Sequence, residues 1–190
     1  MWGLWRVTKT KKKERILYEN FLSEVDFKVL EDTITAPNFP WFWREGANDA
    51  NDGSGLICFS NKLFGEYGPT CREFDACRPI FNRLDSDFLL RIKANLDLKT
   101  DKVLDPTGFH TDIDTSANNF YTMLLYINDC NGATLFEEDK APVMSKRNRA
   151  IIFPTSHSHA GCFQTDTPTR FVLNINFITD RQLPEGGQYF

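Results

Sequence analysis

The sequence has no Cys-x-x-Cys pair, no surplus of basic residues, no internal repeat and no apolar run long enough to span a membrane. Each absence removes a class of protein. Its five cysteines, at 58, 71, 77, 130 and 162, are odd in number and unpaired in spacing, which argues against a disulfide framework or a zinc knuckle and for a reduced, cytoplasmic setting. A formal charge of −4 and a pI near 5.4 give no broad basic surface, so a nucleic-acid partner is not suggested. The N-terminus places its few apolar residues before the basic run Lys11-Lys12-Lys13, the reverse of a secretion signal, and no window approaches a membrane span. Residues 1–13 therefore read as a solvated, flexible tail.

What is present is a chain of 190 residues with 41% hydrophobic and 14% aromatic content, enough for a single domain over residues 1–190 with its own buried core. Ser23 followed by Asp26, with Leu22, Val25 and Val29 and the set Phe27, Leu30 and Ile34, predicts a capped amphipathic helix over one face of a sheet. Residues 36 to 72 are punctuated by proline and glycine and interleaved with Trp41, Phe42, Trp43, Phe64 and Tyr67. They read as a long aromatic-rich excursion, either core packing or a wall and lid over a site. A second short helix is expected from Phe74 to Leu84, limited or kinked by Pro79.

From Phe88 the period changes to two: Leu90, Ile92, Ala94 and Leu96 alternate with Arg91, Lys93 and Asn95. Further strands are expected at Phe109–Ile113, Phe120–Asn128, Thr134–Glu137, Arg149–Phe153, His157–Cys162 and Arg170–Ile178. Helices followed by many short strands give an α+β, mainly β chain with a sandwich- or barrel-like core.

Histidine is also scarce, with three in the chain. His110-Thr111-Asp112 sets an imidazole and a carboxylate two residues apart, which on a strand would point both to one face. A second apolar strand, Ile151-Ile152-Phe153-Pro154, runs into His157 and His159, and the residues alone leave open which would complete the site. Two histidines and one carboxylate suit Fe(II) with open coordination positions, whereas a structural zinc would have all four positions filled by protein. Arg170 opens a strand on which Phe171, Leu173, Ile175 and Phe177 share one face, leaving Arg170, Val172, Asn174 and Asn176 toward a polar cavity. An arginine there can hold a carboxylate in a two-pronged ion pair.

These pieces, Phe109-His-Thr-Asp112, Tyr121-Thr-Met-Leu-Leu-Tyr-Ile-Asn128, Gly132-Ala-Thr-Leu-Phe136, Phe153-Pro-Thr-Ser-His-Ser-His-Ala-Gly161 and Arg170, resemble in order and spacing the Fe(II)/2-oxoglutarate-dependent oxygenases, in particular the prolyl-4-hydroxylase-like branch with its small phage and bacterial members. The resemblance covers roughly residues 88 to 178. It implies a double-stranded β-helix, or jelly roll, flanked by N-terminal helices, with its core over residues 88–178. It also implies His110, Asp112 and His159 as iron ligands, the last because Ala160-Gly161 follows it and its spacing to Arg170 fits. By the same resemblance Arg170 and Tyr126 would bind the distal carboxylate of 2-oxoglutarate, Thr122 and Leu124 would line that pocket, and Asn95 would reach the cosubstrate's other end. Ala133 departs from the family's second glycine. The implied partners are Fe(II), 2-oxoglutarate, O2, ascorbate as an accessory reductant, and a peptide or small-molecule substrate that is hydroxylated as succinate and CO2 are released. The competing expectation is a catalytically silent jelly roll that binds a metal or serves a structural role.

Overall fold

The computed structural model describes residues 15–45, 57–102, 108–115 and 117–190, so the expected tail lies outside the described residues. In chain order the elements are β1 (Ile16–Tyr18), α1 (Glu24–Ile34), β2 (Phe42–Glu45), β3 (Ile57–Gly65), β4 (Gly68–Pro69), a 3-10 segment (Arg72–Cys77) and α2 (Arg78–Leu84). There follow β5 (Phe88–Leu98), β6 (Phe120–Tyr126), β7 (Ala133–Phe136), β8 (Pro142–Met144), β9 (Ala150–Pro154), β10 (His159–Cys162), β11 (Thr169–Ile178) and β12 (Gln188–Tyr189). The large sheet runs β12-β1-β9-β6-β11-β5-β3-β2, with β4 against β3, and the small sheet runs β10-β7-β8. From β6 onward the chain alternates between them: β6 in the large sheet, β7 and β8 in the small, β9 in the large, β10 in the small and β11 in the large. Paired strands are antiparallel throughout, and this interleaving is the expected jelly roll with N-terminal helices.

Alternation along the central strands sorts the side chains onto two cores. On the outer face Ile92, Ala94, Met123, Leu125, Leu173, Ile175 and Phe177 pack beneath Phe27, Leu30 and Ile34 of α1 and Ile80 and Leu84 of α2. Between the sheets, Leu124, Tyr126, Phe136, Val143, Ile151, Phe153 and Val172 form a second cluster. Helix α1 starts where the sequence placed it: Ser23 Oγ accepts from the Asp26 amide at 3.2 Å. Val25 and Val29 face solvent, so the buried stripe is narrower than the apolar pattern suggested. The entry into α1 is pinned by buried Asn148, held at φ +59, whose side chain accepts from the Leu22 amide and donates to the Leu22 carbonyl, each at 2.9 Å.

Three expectations are corrected. The stretch from 36 to 72 supplies sheet strands: β3 pairs with β5 from Cys58↔Asp97 to Phe64↔Ile92, and β2 extends that edge. Its glycine and proline density masked the strand signal, and residues 46–56 lie outside the described residues. Pro79 falls in the first turn of α2, where its missing N–H costs nothing, so it opens that helix and does not kink it. Phe109–Ile113 is not a strand. Only His110 bridges, to His159, because Gly108 at φ +97 precedes it and the chain bends at Asp112 and Ile113.

Candidate metal centre

His110 and His159 sit directly opposite one another, each backbone N–H donating to the other's carbonyl, at 3.0 and 2.9 Å. Their rings are 4.8 Å apart. With Asp112 they form a cluster in which one ligand atom from each lies within 4.8 Å of the others. His110 Nδ1 lies 3.2 Å from the Gly108 carbonyl, and His159 Nδ1 lies 3.1 Å from the His157 carbonyl. A carbonyl can only accept, so both Nδ1 atoms carry the proton and both Nε2 lone pairs are available for a metal. The left-handed Gly108 thus aims one ligand, and His157 aims the other through its backbone. Phe153 packs edge-on against His159 at 4.9 Å and fixes the ring plane.

Asp112 is fixed by four neighbours. Arg91 donates to Oδ1 at 2.9 Å, Asn174 donates to both oxygens at 3.0 and 3.1 Å, Thr122 donates to Oδ2 at 3.0 Å, and Asn176 reaches Oδ2 at 3.4 Å. Burial alone would raise its pKa, but His159, Arg91, Asn174 and Thr122 together outweigh burial and hold the carboxyl below its usual range. Burial is the largest influence on His159 and pushes its pKa down against the opposing pull of Asp112. His159 Nε2 lies 3.8 Å from Asp112 Oδ2, close enough for both atoms to face one ion. Two imidazoles and one carboxylate, oriented by outer hydrogen bonds, fit Fe(II) in composition and spacing.

The cluster opens on a cavity of about 270 Å³. Leu124, Asn95 and Arg170 line it with the three candidate ligands, as do Thr134, Val172 and Asn174. Arg170 is 4% exposed and tightly held: Nε donates to Ser145 Oγ at 2.8 Å, Nη1 to Asp97 at 2.8 Å and Nη2 to the Ala133 carbonyl at 3.3 Å. Gly132 allows its passage, since a Cβ there would meet Arg170 Cδ at 2.7 Å and the Cys162 carbonyl at 3.0 Å. Ala133, by contrast, is accommodated within β7.

Two residues expected in the cosubstrate pocket do not line the cavity. Tyr126 is fully buried and donates to Thr134 Oγ1 at 2.8 Å, so Thr134 presents the hydroxyl to the cavity in its place. Burial raises the Tyr126 pKa and keeps it a donor. Thr122 is one residue pair further toward Asp112 and spends its hydroxyl there and on Thr155, 3.0 Å away. Sequence reasoning missed Arg91, Asp97 and Ser145 as parts of the site. The alternation of β5 already put Arg91 on the polar face, but nothing in the sequence paired Asp97 with Arg170 or brought Ser145 beside it.

No protein-family model and no curated protein matches the sequence. Solved structures do. An oxidoreductase of the 2OG-Fe(II) oxygenase family from Burkholderia pseudomallei superposes with a TM-score of 0.64 at 11% identity, over 90% of this chain and 87% of that one. A Trichoplax adhaerens prolyl hydroxylase, solved with a hypoxia inducible factor oxygen degradation domain peptide fragment, gives 0.65 at 11% identity, over 88% and 84%. The epimerase SnoN, solved with Fe3+, alpha ketoglutarate and nogalamycin RO, gives 0.60 at 10% identity, over 93% and 88%. The fold is that of the 2-oxoglutarate/Fe(II) oxygenases, prolyl hydroxylases among them.

Proposed function

We propose that this chain is an Fe(II)- and 2-oxoglutarate-dependent dioxygenase that hydroxylates a C–H of a protein side chain or a small molecule. The observation that carries the reading is the shared cavity, lined both by His110, Asp112 and His159 and by the buried guanidinium of Arg170. His110 and His159 would hold the metal through Nε2 and Asp112 through a carboxylate oxygen. Iron so held supplies the oxidation, coupling O2 and the decarboxylation of 2-oxoglutarate to attack on the substrate, with succinate and CO2 released.

The protein's own groups do the positioning. Arg170 and Thr134 receive the distal carboxylate of 2-oxoglutarate, Tyr126 holds the Thr134 hydroxyl, Leu124 and Val172 give the pocket an apolar wall, and Asn95 offers an amide between its ends. Thr122 works through Asp112. Structures of this fold have been solved with a peptide fragment and with nogalamycin RO, and the substrate proposed here belongs to one of these two classes, peptide or small molecule. The reading takes residues 1–190 as one domain, with the jelly-roll core at 88–178. No helix among the described residues is long and apolar enough to cross a membrane, and the reduced cysteines favour the cytoplasm.

Anaerobic titration with Fe(II) and 2-oxoglutarate tests this through the weak visible charge-transfer band of a metal-bound keto acid. A band is expected, followed in air, with ascorbate present, by slow succinate release. Its absence overturns the reading. His159→Ala should abolish the band and His157→Ala should spare it; the reverse pattern would reassign the third ligand. One observation favours the silent-module alternative: Asp97 already neutralises Arg170. That alternative predicts iron binding without the keto-acid band.

A further inference from the structure

Arg170 is the cation on which recognition of a distal carboxylate depends, and the protein already fills most of its hydrogen-bonding capacity. A guanidinium carries five N–H groups. Nε donates to Ser145 Oγ at 2.8 Å, Nη1 to Asp97 Oδ2 at 2.8 Å, and Nη2 to the Ala133 carbonyl at 3.3 Å and the Thr134 hydroxyl at 3.5 Å. Among the described residues these four contacts leave one N–H, on Nη1, for a ligand. Of the four acceptors, Asp97 is the one that carries charge.

Asp97 also differs from the other three in its setting. It lines the cavity and its side chain is 17% exposed, whereas Ala133, Thr134 and Ser145 are buried. Its backbone is fixed, paired with Arg170 on β11 and Cys58 on β3, and its carbonyl accepts from Gln164 Nε2 at 3.0 Å. The carboxylate can therefore leave Arg170 by side-chain rotation alone, with no strand moved. With a single N–H open, Arg170 cannot grip a second carboxylate by two prongs. Two carboxylates on one buried guanidinium would also leave a negative charge uncompensated. Thr134 does not lift this conflict, because its oxygen already accepts from Tyr126 at 2.8 Å and it has one proton to give.

We propose that Asp97 determines cosubstrate specificity by competing for Arg170: its carboxylate stands where the distal carboxylate of 2-oxoglutarate must bind, and the cosubstrate enters by displacing it. While the Asp97–Arg170 pair is made, the pocket is neutral there and accepts a 2-oxo acid with an uncharged tail. The competition lowers the preference for a dicarboxylate that Arg170 alone would impose. The naming of 2-oxoglutarate rests on the dioxygenase reading; the competition holds for any dicarboxylate that reaches Arg170.

The test is calorimetric titration of 2-oxoglutarate, and separately of 2-oxovalerate, which has the same chain without the distal carboxylate, onto the full chain loaded with Zn(II). Asp97→Asn keeps an oxygen for Nη1 and removes the charge. In that variant the Kd of 2-oxoglutarate should fall about 10- to 100-fold, the range of one charge-assisted hydrogen bond, while that of 2-oxovalerate stays level. Without ligand the variant's thermal midpoint should fall, because Arg170 loses its counter-charge, and saturating 2-oxoglutarate should raise it further than in the unaltered chain. Overturning results are no binding of 2-oxoglutarate, an unchanged or higher Kd in the variant, or equal tightening of both acids, which would make Asp97 structural. The unaltered chain gives a second reading that does not need the variant to fold. Its Asp97 carboxyl 13C resonance should move with 2-oxoglutarate and stay with 2-oxovalerate; an unmoved resonance at saturation overturns the displacement. Glutarate titrated onto the metal-free chain separates the two proposals. Tighter glutarate binding in Asp97→Asn with no Fe(II) keto-acid band would sink the dioxygenase reading and leave the competition standing, and the band with no effect of Asp97→Asn would do the reverse.

Discussion

Phe177 and Asn174 lie three residues apart on β11, one on each face of the large sheet. Phe177 is wholly buried among the side chains under α1 and α2, as are Leu173 and Ile175 on the same face. Asn174 faces the cavity and donates to both oxygens of Asp112. The two faces are held by different means: the outer by apolar area removed from water, the inner by directed hydrogen bonds onto one carboxylate. Burial tolerates almost any well-shaped apolar neighbour, whereas the inner bonds have angles and lengths that a single atom's change removes. One strand therefore carries stability on one side and geometry on the other.

Substitutions on the two faces should separate these roles. The largest effect is expected from Phe177→Ala, about 3–5 kcal/mol lost from unfolding stability, read as a fall in the urea midpoint. The keto-acid band per folded molecule should survive it. If the band is lost while the protein remains folded, the two faces are coupled. Next, Asn174→Ala should weaken iron about 10- to 100-fold by freeing Asp112 to turn, while moving the urea midpoint far less than Phe177→Ala. Equal losses of stability from both would erase the contrast. Smallest are changes on the helix that covers the outer face. Ser23→Ala should cost about 1 kcal/mol through the lost cap, and Val25→Lys, on a residue 77% exposed, no more than about 0.5 kcal/mol. A larger loss at Val25 would mean that α1 buries a wider stripe.

The sequence made the outer face and the strands of the jelly roll readable because both rest on simple periods. Leu90 to Leu96 and Arg170 to Ile178 alternate cleanly, and Phe27, Leu30 and Ile34 follow the helical repeat. The legible part of the site was the set that recurs as a local motif: His110, Asp112, the His157/His159 pair and Arg170. What was not legible depends on register between distant segments. Asp97 meets Arg170 only because β5 and β11 are antiparallel neighbours aligned at that step. Tyr126 and Thr122 were placed by strand parity alone, which gives the face but not the neighbour. On that face Tyr126 ends against Thr134 and Thr122 against Asp112. The strands β2 and β3 were hidden because glycine and proline between residues 36 and 72 outweigh their apolar content, and β1 and β12 are too short to show a period.

The isolated bridge between His110 and His159 has a kinetic consequence. The segment carrying His110 and Asp112 meets β10 through two backbone bonds at the candidate ligands, with no further ladder pairing among the described residues of that segment. Opening that one bridge separates the two imidazoles, so the motion that frays the segment is also the motion that would release a metal. Amide hydrogen exchange at His110 and His159 should then slow in step with metal occupancy, while the ladder of β6 and β11 exchanges at an unchanged rate. With a metal bound, the pair would act as a latch on the site, its two amide protons serving as the clock.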